Sequence, residues 1–390
     1  MPWKETNVLD QRTEFVTRAL TEEITFTDLC KEYGISRKTG YKWKQRFLEN
    51  GYNGLSDLSR KPRNSPNQLS EDCIIQIIKL KLAYPNWGAR KILELYKRAH
   101  PLEKAPSESS VKRILDKAGL VKKRRVKRVN PNQDALRQMI QPDEPNDVWT
   151  IDFKGWWFST DKNKCVPLTI RDDKSRYLQD IRLMKSQTTE AVQHVLANVF
   201  KEYGLPKVIR SDNGSPFAAP NSILGLSRLA AWWMSLGIIP DRIRPGCPYQ
   251  NGGHERMHRD LKLEIQKPHK GDLPFFQNII DEWRCEFNNV RPHEALGYKT
   301  PSEVYRPSER KYDGDIDEII YPLGFETRKV SSNGTIKIKG VEVHLTTALT
   351  GYHVGLLHTE NRVMDVWFNK FPLGSIDLNS FRFYTAEKGA

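Results

Sequence analysis

The chain has 390 residues, of which 38% are hydrophobic, so about two to four domains with buried cores are expected. Its 62 lysine and arginine residues outnumber 48 aspartate and glutamate residues, and the formal net charge of +14 favours nucleic acid as a partner. A membrane span and a secretory signal are not expected, because no apolar run approaches the roughly 20 residues of a transmembrane helix and Met1–Glu5 has no apolar segment. Five scattered cysteines without a C-x-x-C pair argue against a disulfide framework or a cysteine zinc site and indicate a reducing cytoplasm.

Residues 1–55 predict a three-helix DNA-binding unit. Residues 9–20 carry apolar side chains at helical spacing, Thr25–Tyr33 predicts a second helix, and Ser36 caps a third helix after a tight turn. The outer face of that third helix carries four candidate DNA contacts: Arg37, Lys38, Tyr41 and Lys42. This arrangement predicts a helix-turn-helix whose last helix enters a major groove, with a plain three-helix packing unit as the alternative.

A second helix-turn-helix-like unit is predicted over residues 69–121, after a polar linker over residues 56–68. Its three predicted helices are Glu71–Ala83, a helix from Trp87 to about Arg98, and one between Ser107 and Gly119. The third helix presents Lys112 and Arg113 outward, so these two residues are further candidate DNA contacts.

Residues 122–146 predict a basic linker. Its first part carries six basic residues: Lys122, Lys123, Arg124, Arg125, Lys127 and Arg128. Because this run directly follows a predicted DNA-binding unit, DNA contact is favoured over a solvated tether.

Neutralising these six side chains with glutamine is expected to weaken DNA binding and to flatten its salt dependence. Each phosphate contact that is lost removes about 0.9 from the slope of log K against log salt concentration. Titrations of a labelled duplex at several salt concentrations measure that slope. An unchanged slope would mean that the run is only a solvated tether.

From Asp147 onward the pattern changes to a mixed α/β type, predicted over residues 147–305. The predicted strands are Val148–Phe158, Cys165–Arg171, Tyr177–Leu183, Lys207–Arg210 and Ile238–Ile239. The predicted helices are Thr188–Tyr203, Ser222–Leu236, Gly252–Gln266 and Leu273–Asn288.

Three acidic residues of this domain are candidate metal ligands. Asp152 lies within an apolar strand, where an unpaired charge is costly. Asp212 follows a buried strand at a glycine turn, and Glu255 opens a helix after a glycine loop. Each alone could be a surface acid, but together they offer hard oxygen ligands for two Mg²⁺ or Mn²⁺ ions. Arg259 and Lys262 share the helical face of Glu255 and are expected to hold phosphates beside the metal ions.

Three motifs resemble those of the DDE transposases of bacterial insertion sequences and of retroviral-type integrases. They are Ile-Asp-Phe-Lys-Gly around Asp152, Arg-Ser-Asp-Asn-Gly-Ser-Pro-Phe around Asp212, and Pro-Tyr-Gln-Asn-Gly-Gly-His-Glu-Arg-Met-His-Arg-Asp-Leu-Lys around Glu255. The later stretch Asn288–Tyr305 also looks like the end of that core, so the resemblance covers roughly residues 145–305. No His/Cys zinc spacing precedes it, which favours the insertion-sequence transposases with a retroviral-integrase-like core.

The resemblance implies an RNase-H-like fold with Asp152, Asp212 and Glu255 as catalytic metal ligands. It implies Mg²⁺-dependent cleavage and strand transfer of double-stranded DNA, comprising the element's terminal repeats and target DNA. The N-terminal helical units would bind the repeats, and the protein would assemble on DNA as a homo-oligomer, a dimer or a tetramer. The expected location is the bacterial cytoplasm, in association with the nucleoid.

Two alternatives belong to other functional classes. His254-Glu255-Arg256-Met257-His258 has the H-E-x-x-H form of zinc metalloproteases, although a third ligand and an apolar helix are missing from the sequence around it. In the favoured interpretation both histidines are flanking polar residues. The second alternative is a DNA-binding regulator without catalysis, which would have no need for three acids beside DNA phosphates.

The last section, residues 306–390, predicts a small β-barrel. Short β-type runs are separated by turn residues, and Asn333-Gly334 is a hairpin signal. Its role is left open between DNA binding, helped by Lys337 and Lys339, and protein contacts in the assembly.

Overall fold

The computed structural model describes residues 7–58, 68–121, 139–219, 222, 224–244, 247–265, 270–315, 318–359 and 362–385. The chain divides into two compact units, Met1–Ser70 and Glu71–Ala390. Within the described ranges, no helix combines the length and the apolar character that crossing a bilayer requires.

The first unit is a three-helix bundle, as predicted. Its helices are α1 (Val8–Thr21), α2 (Phe26–Glu32) and α3 (Arg37–Asn50), followed by a 3₁₀ turn over Gly51–Leu55. Asn7, Thr25 and Ser36 cap the three helices by accepting hydrogen bonds from backbone N–H groups. Gly40 allows α3 to approach its neighbours closely, since a Cβ there would lie 2.8 Å from the Cys30 sulfur. Close packing therefore fixes which face of α3 stays outside.

The second unit begins with another helical group. It consists of α4 (Glu71–Ala83), α5 (Ala89–Ala99) and α6 (Glu108–Lys117). Apolar side chains from all three helices are buried together: Ile77, Ile92, Tyr96, Val111 and Leu115. Helix α5 also reaches the mixed α/β section, because Arg90 pairs with Glu294 at 3.0 Å and Arg98 with Glu303 at 2.9 Å.

A six-stranded mixed sheet forms the centre of the second unit. Its strands are β1 (Val148–Phe153), β2 (Trp157–Phe158), β3 (Lys164–Asp172), β4 (Leu178–Met184), β5 (Val208–Ser211) and β6 (Ile239–Arg242). Strand β1 lies between β3, to which it is antiparallel, and β5, to which it is parallel; β6 continues the parallel side, and β2 and β4 pair with β3. This mixed order agrees with the RNase-H-like core that the resemblance implies.

Helices cover both faces of this sheet. They are α7 (Thr189–Tyr203), α8 (Arg228–Ser235), α9 (Gly252–Ile265), α10 (Leu273–Asn289) and the single turn α11 (Pro301–Val304). Side chains alternate along β1, so Trp149 and Ile151 face a core shared with α7 and α8. The opposite face packs against α9 and α10 through Leu178, Ile181 and Met257. Asp152 belongs to this second face.

Two predicted elements are shorter in the structure. The strand expected over Val148–Phe158 is interrupted after Phe153 and resumes at Trp157. The helix expected over Ser222–Leu236 begins only at Arg228, because Ser227 accepts the Ala230 N–H as an N-cap and so ends the preceding loop.

The C-terminal section is all β, but the predicted closed barrel is not found among its described residues. An antiparallel sheet has the order β13 (Arg382–Thr385), β12 (Phe371–Asp377), β11 (Val363–Phe368), β10 (His353–His358), β7 (Phe325–Lys329). The hairpin of β8 (Thr335–Ile338) and β9 (Val341–His344) forms a separate sheet. It joins the rest through buried side chains such as Ile336 and Val343, so no continuous backbone ladder closes the sheet.

The hairpin turn also differs from the expected position. Gly334 does adopt a turn with φ +74, yet the strands that flank it, β7 and β8, do not pair with each other. The paired strands β8 and β9 are instead connected by Lys339 and Gly340, both at positive φ, as a two-residue hairpin requires.

Candidate active site

Asp152 lies near the end of β1, directly opposite Thr169 of β3. Its side chain is 21% exposed. The Asn251 side-chain amide donates to Asp152 Oδ2 at 3.5 Å, and His258 Nδ1 lies 3.8 Å from the same oxygen. Asn251 lies just before α9, and His258 lies in α9, the helix that carries Glu255. Asp152 therefore lies at the contact between β1 and α9.

Asp212 and Glu255 reach the same region from two other elements. Asp212 follows the last residue of β5, the parallel neighbour of β1, so the two strands deliver their acids to one edge of the sheet. Its Oδ1 accepts the Gly214 N–H at 3.0 Å, which holds the carboxylate on the turn. Glu255 lies in the first turn of α9 and is exposed.

The charges of the three acids act on one another. Burial and the negative charges of Asp212 and Glu255 together raise the pKa of Asp152 to about 7. A hydrogen bond from the Phe153 backbone and the positive charge of Lys154 oppose that shift. These effects disfavour the ionised form of Asp152, and a cation bound beside it would stabilise that form. The structure thus brings the three predicted acids into one electrostatic neighbourhood.

The donor set fits a hard divalent cation. Three carboxylates at one sheet edge are the oxygen ligands that Mg²⁺ and Mn²⁺ prefer. Among the described residues, no group of three or more His, Cys, Asp or Glu side chains has the close spacing of a metal-binding site. The chemistry of the donors supports cation binding.

The two histidines of the H-E-x-x-H string are buried, which corrects their interpretation as flanking polar residues. His254 Nε2 and His258 Nε2 lie 2.5 and 2.8 Å from the Thr169 hydroxyl, and His254 Nδ1 lies 2.8 Å from the Thr150 hydroxyl. Burial lowers the pKa of both rings, that of His258 to about 3, so both are neutral. Their nitrogens bind strand threonines while Glu255 faces outward, and this arrangement does not support a zinc protease site.

Thr169 is the centre of this network. Its hydroxyl donates to the Asp152 carbonyl at 2.9 Å and therefore accepts N–H bonds from His254 and His258. The network pins the helical turn of Glu255 to the strand of Asp152. Sequence reasoning missed this, although His254, Met257, His258 and Leu261 recur at helical spacing and together mark a buried face.

Thr169→Val is expected to lower the free energy of unfolding by about 1–3 kcal/mol, because two buried imidazole N–H groups lose their acceptor. It is also expected to slow DNA cleavage, since α9 is no longer fixed beside Asp152. Urea unfolding and cleavage rates measure the two effects. Thr160→Val, at an exposed turn position, is the matched control; equal behaviour of the two variants would contradict a positioning role for Thr169.

Basic side chains border the acids. Arg259 and Lys262 lie on the exposed side of α9 with Glu255, as predicted from their spacing. Lys154, which the sequence reading missed, follows β1; burial and the charge of Lys262 lower its pKa, and the charge of Asp152 opposes that shift. Lys154 therefore lies within electrostatic reach of both Asp152 and Lys262.

The remaining predicted DNA contacts lie elsewhere. Four of them are exposed on α3 in the first unit: Arg37, Lys38, Tyr41 and Lys42. Lys112 and Arg113 are exposed on α6, where Lys112 pairs with Glu108 at 2.5 Å. The basic run that starts at Lys122 and ends at Arg128 lies outside the described residues, so it remains a prediction from sequence.

Several parts of the chain match known domain families. The integrase core domain matches twice, over residues 142–248 and 236–301. A helix-turn-helix domain matches residues 11–63, and a homeodomain-like domain matches residues 39–115. The C-terminal domain of IS481 family transposases matches residues 325–382.

Individual proteins are similar over much of their length. The insertion element IS407 uncharacterized 31.7 kDa protein of Burkholderia multivorans is 31% identical over 214 residues, or 53% of this chain and 74% of that protein. Transposase InsD for insertion element IS2 of Escherichia coli is 25% identical over 256 residues, or 63% of this chain and 81% of InsD. Among solved structures, the HTLV-2 integrase catalytic core domain in complex with magnesium aligns at 20% identity and a TM-score of 0.32, over 42% of this chain and 99% of that one.

Proposed function

We propose that this chain, which belongs to the insertion-element transposases with an integrase core, cuts the ends of its element and joins them to target DNA. The observation that carries the proposal is the meeting of Asp152, Asp212 and Glu255 at one sheet edge beside Lys154 and Lys262. Acids beside lysines suit a phosphodiester flanked by divalent cations, because the lysines attract the phosphate and the acids attract the cations.

In this proposal Asp152, Asp212 and Glu255 hold two Mg²⁺ or Mn²⁺ ions. Such ions, when bound, activate an attacking water or 3′-hydroxyl and neutralise the leaving oxygen of a phosphodiester. The protein chain holds these three carboxylates in position. Strands β1 and β5 hold Asp152 and Asp212 on a rigid frame, Asn251 orients Asp152, and the Thr169 network fixes the helix of Glu255.

Basic side chains orient the DNA strand at this site. Arg259 and Lys262 lie on the face of α9 that carries Glu255, and Lys154, which follows β1, adds a third positive charge. Phosphate contacts of this kind set register and orientation without reading sequence. They would place the scissile phosphate over the three acids.

Recognition of the element's terminal repeats is assigned to the helical units and to the basic run from Lys122 to Arg128. Exposed basic residues on α3 and α6 suit major-groove and phosphate contacts. Because an element has two ends, a homo-oligomer, either a dimer or a tetramer, would hold both ends and the target DNA. The reaction is placed in the bacterial cytoplasm, on nucleoid DNA.

The test uses a labelled duplex that carries the end of the element encoding this protein. Incubation with Mg²⁺ or Mn²⁺ is expected to give strand cleavage at the element boundary and joined products with a second duplex. A duplex of scrambled sequence is the control and is expected to remain largely uncut. Tight binding of the end duplex without cleavage under either metal would instead identify a DNA-binding regulator.

A further inference from the structure

The chain segment after Asp152 carries two aromatic side chains on its outer surface. Trp157 points inward, and its ring packs edge-on against Phe276 with 5.7 Å between centroids. Because side chains alternate along an extended chain, Trp156 and Phe158 point the other way; they are 55% and 60% exposed. Their rings meet edge to face with 5.1 Å between centroids. These two exposed rings, Trp156 and Phe158, are called the aromatic platform below.

The aromatic platform is held by backbone pairing. The Lys154 N–H donates to the Pro167 carbonyl at 2.9 Å, and β2 pairs with the start of β3. Beyond β2, the Thr160 N–H donates to the Gly271 carbonyl at 2.9 Å, which ties the segment to the residues before α10. Rings on a fixed backbone lose little conformational entropy when a flat partner stacks on them.

Two lysines lie near the aromatic platform in space or along the chain. Lys164 Nζ lies 4.8 Å from the centroid of the Trp156 ring. Lys154 stands between the platform and Asp152 along the chain and is close enough to Lys262 for the two charges to repel each other. Lysines attract a polyanion, and exposed aromatic rings add affinity for nucleobases. Nucleic acid matches both properties, whereas an apolar protein surface would leave the lysines unused.

We infer that Trp156 and Phe158 stack on an unpaired nucleobase of the DNA strand whose backbone passes Asp152. The inference rests on the proposed function, because it takes the scissile strand to lie over the three acids. The four residues from Asp152 to Trp156 span at most roughly 13 Å, the length of about four stacked nucleotides. The unpaired base therefore lies within a few nucleotides of the scissile phosphate. Stacking accepts any base, so the platform favours opened DNA ends without adding sequence preference.

The test compares binding of a blunt element-end duplex with that of the same duplex carrying a short single-stranded tail, in the absence of metal. The wild-type protein is expected to bind the tailed duplex roughly five- to hundredfold more tightly. The Trp156→Ala/Phe158→Ala double variant is expected to lose this preference and to keep its affinity for the blunt duplex. Trp156→Phe should retain most of the preference. Tyr384→Ala, which removes an exposed ring on β13, is the control and should retain all of it.

A second readout locates the contact. With 5-iodouracil in the tail, irradiation is expected to cross-link the tryptic peptide Gly155–Lys162. An unchanged preference in the double variant, or a cross-link confined to other peptides, would overturn the inference. A double variant that changes only the oligomeric state by light scattering would also overturn it, since the platform would then contact another copy. Wild-type protein that prefers the tailed duplex but never cleaves with Mg²⁺ would contradict the proposed function alone.

Discussion

Asp152→Asn is expected to abolish strand cleavage and joining, with a rate loss of roughly 10²–10³-fold or more, while binding of the element end persists. Asparagine keeps the size of the side chain and removes one of the three negative charges proposed to hold the metal ions. Single-turnover cleavage of a labelled end duplex in Mg²⁺ measures the rate. Gel shift of the same duplex without metal measures binding.

Loss of activity in this variant is expected without loss of folding. Burial and the charges of Asp212 and Glu255 raise the pKa of Asp152, so its ionised form is disfavoured in the folded protein. Removing that charge should therefore leave the metal-free protein at least as stable near neutral pH, and urea unfolding can check this. Glu190→Gln, an exposed carboxylate in the first turn of α7, is the matched control and should cleave normally. Joining of DNA ends by Asp152→Asn in Mg²⁺ would refute the triad.

Local signals predicted the helical parts of the fold closely. The sequence predicts helix starts at Thr25 and Ser36, and in the structure both accept backbone N–H groups as N-caps. Ser227 is an N-cap of the same kind, although the apolar run from Ser222 to Leu236 predicts one continuous helix. A serine within an apolar run can either lie inside a helix or cap the start of one, and tertiary packing decides between these two roles.

The sequence predicts the three acids of the candidate site, but not the residues that hold them in position. The sequence predicts Asp212 at a strand end but Asp152 inside the strand 148–158. In the structure β1 ends at Phe153 and pairs in parallel with β5, which brings the two acids to one edge of the sheet. The role of Thr169 depends on the register of β3 against β1, which places it opposite Asp152. No residue pattern within β3 specifies that register. The C-terminal sheet has a similar cause, because β7 pairs with the distant β10 and not with β8, the next strand in sequence.

Lys38→Ala is expected to weaken binding of the element end by about 1–3 kcal/mol if its ammonium group contacts a base, because the third helix of a helix-turn-helix enters the major groove. Lys38 is exposed near the start of α3, and Gly40 packs the opposite face of that helix against Cys30. Fluorescence anisotropy with the end duplex and with a scrambled duplex measures the effect. A base contact would affect the end duplex alone, whereas a phosphate contact would weaken both and lower the salt slope by about 0.9.

The matched control is Lys31→Ala on α2. Lys31 is also exposed, but its ammonium group pairs with Asp28 at 3.0 Å on a different helix of the same unit. Both variants remove one positive charge, so long-range attraction of DNA falls equally and any difference comes from contact. Weaker binding by Lys38→Ala alone would place α3 on DNA. Equal affinities of the two variants would contradict that placement and leave α1 to α3 as a packing unit, with end recognition then resting on α4 to α6 and the basic linker.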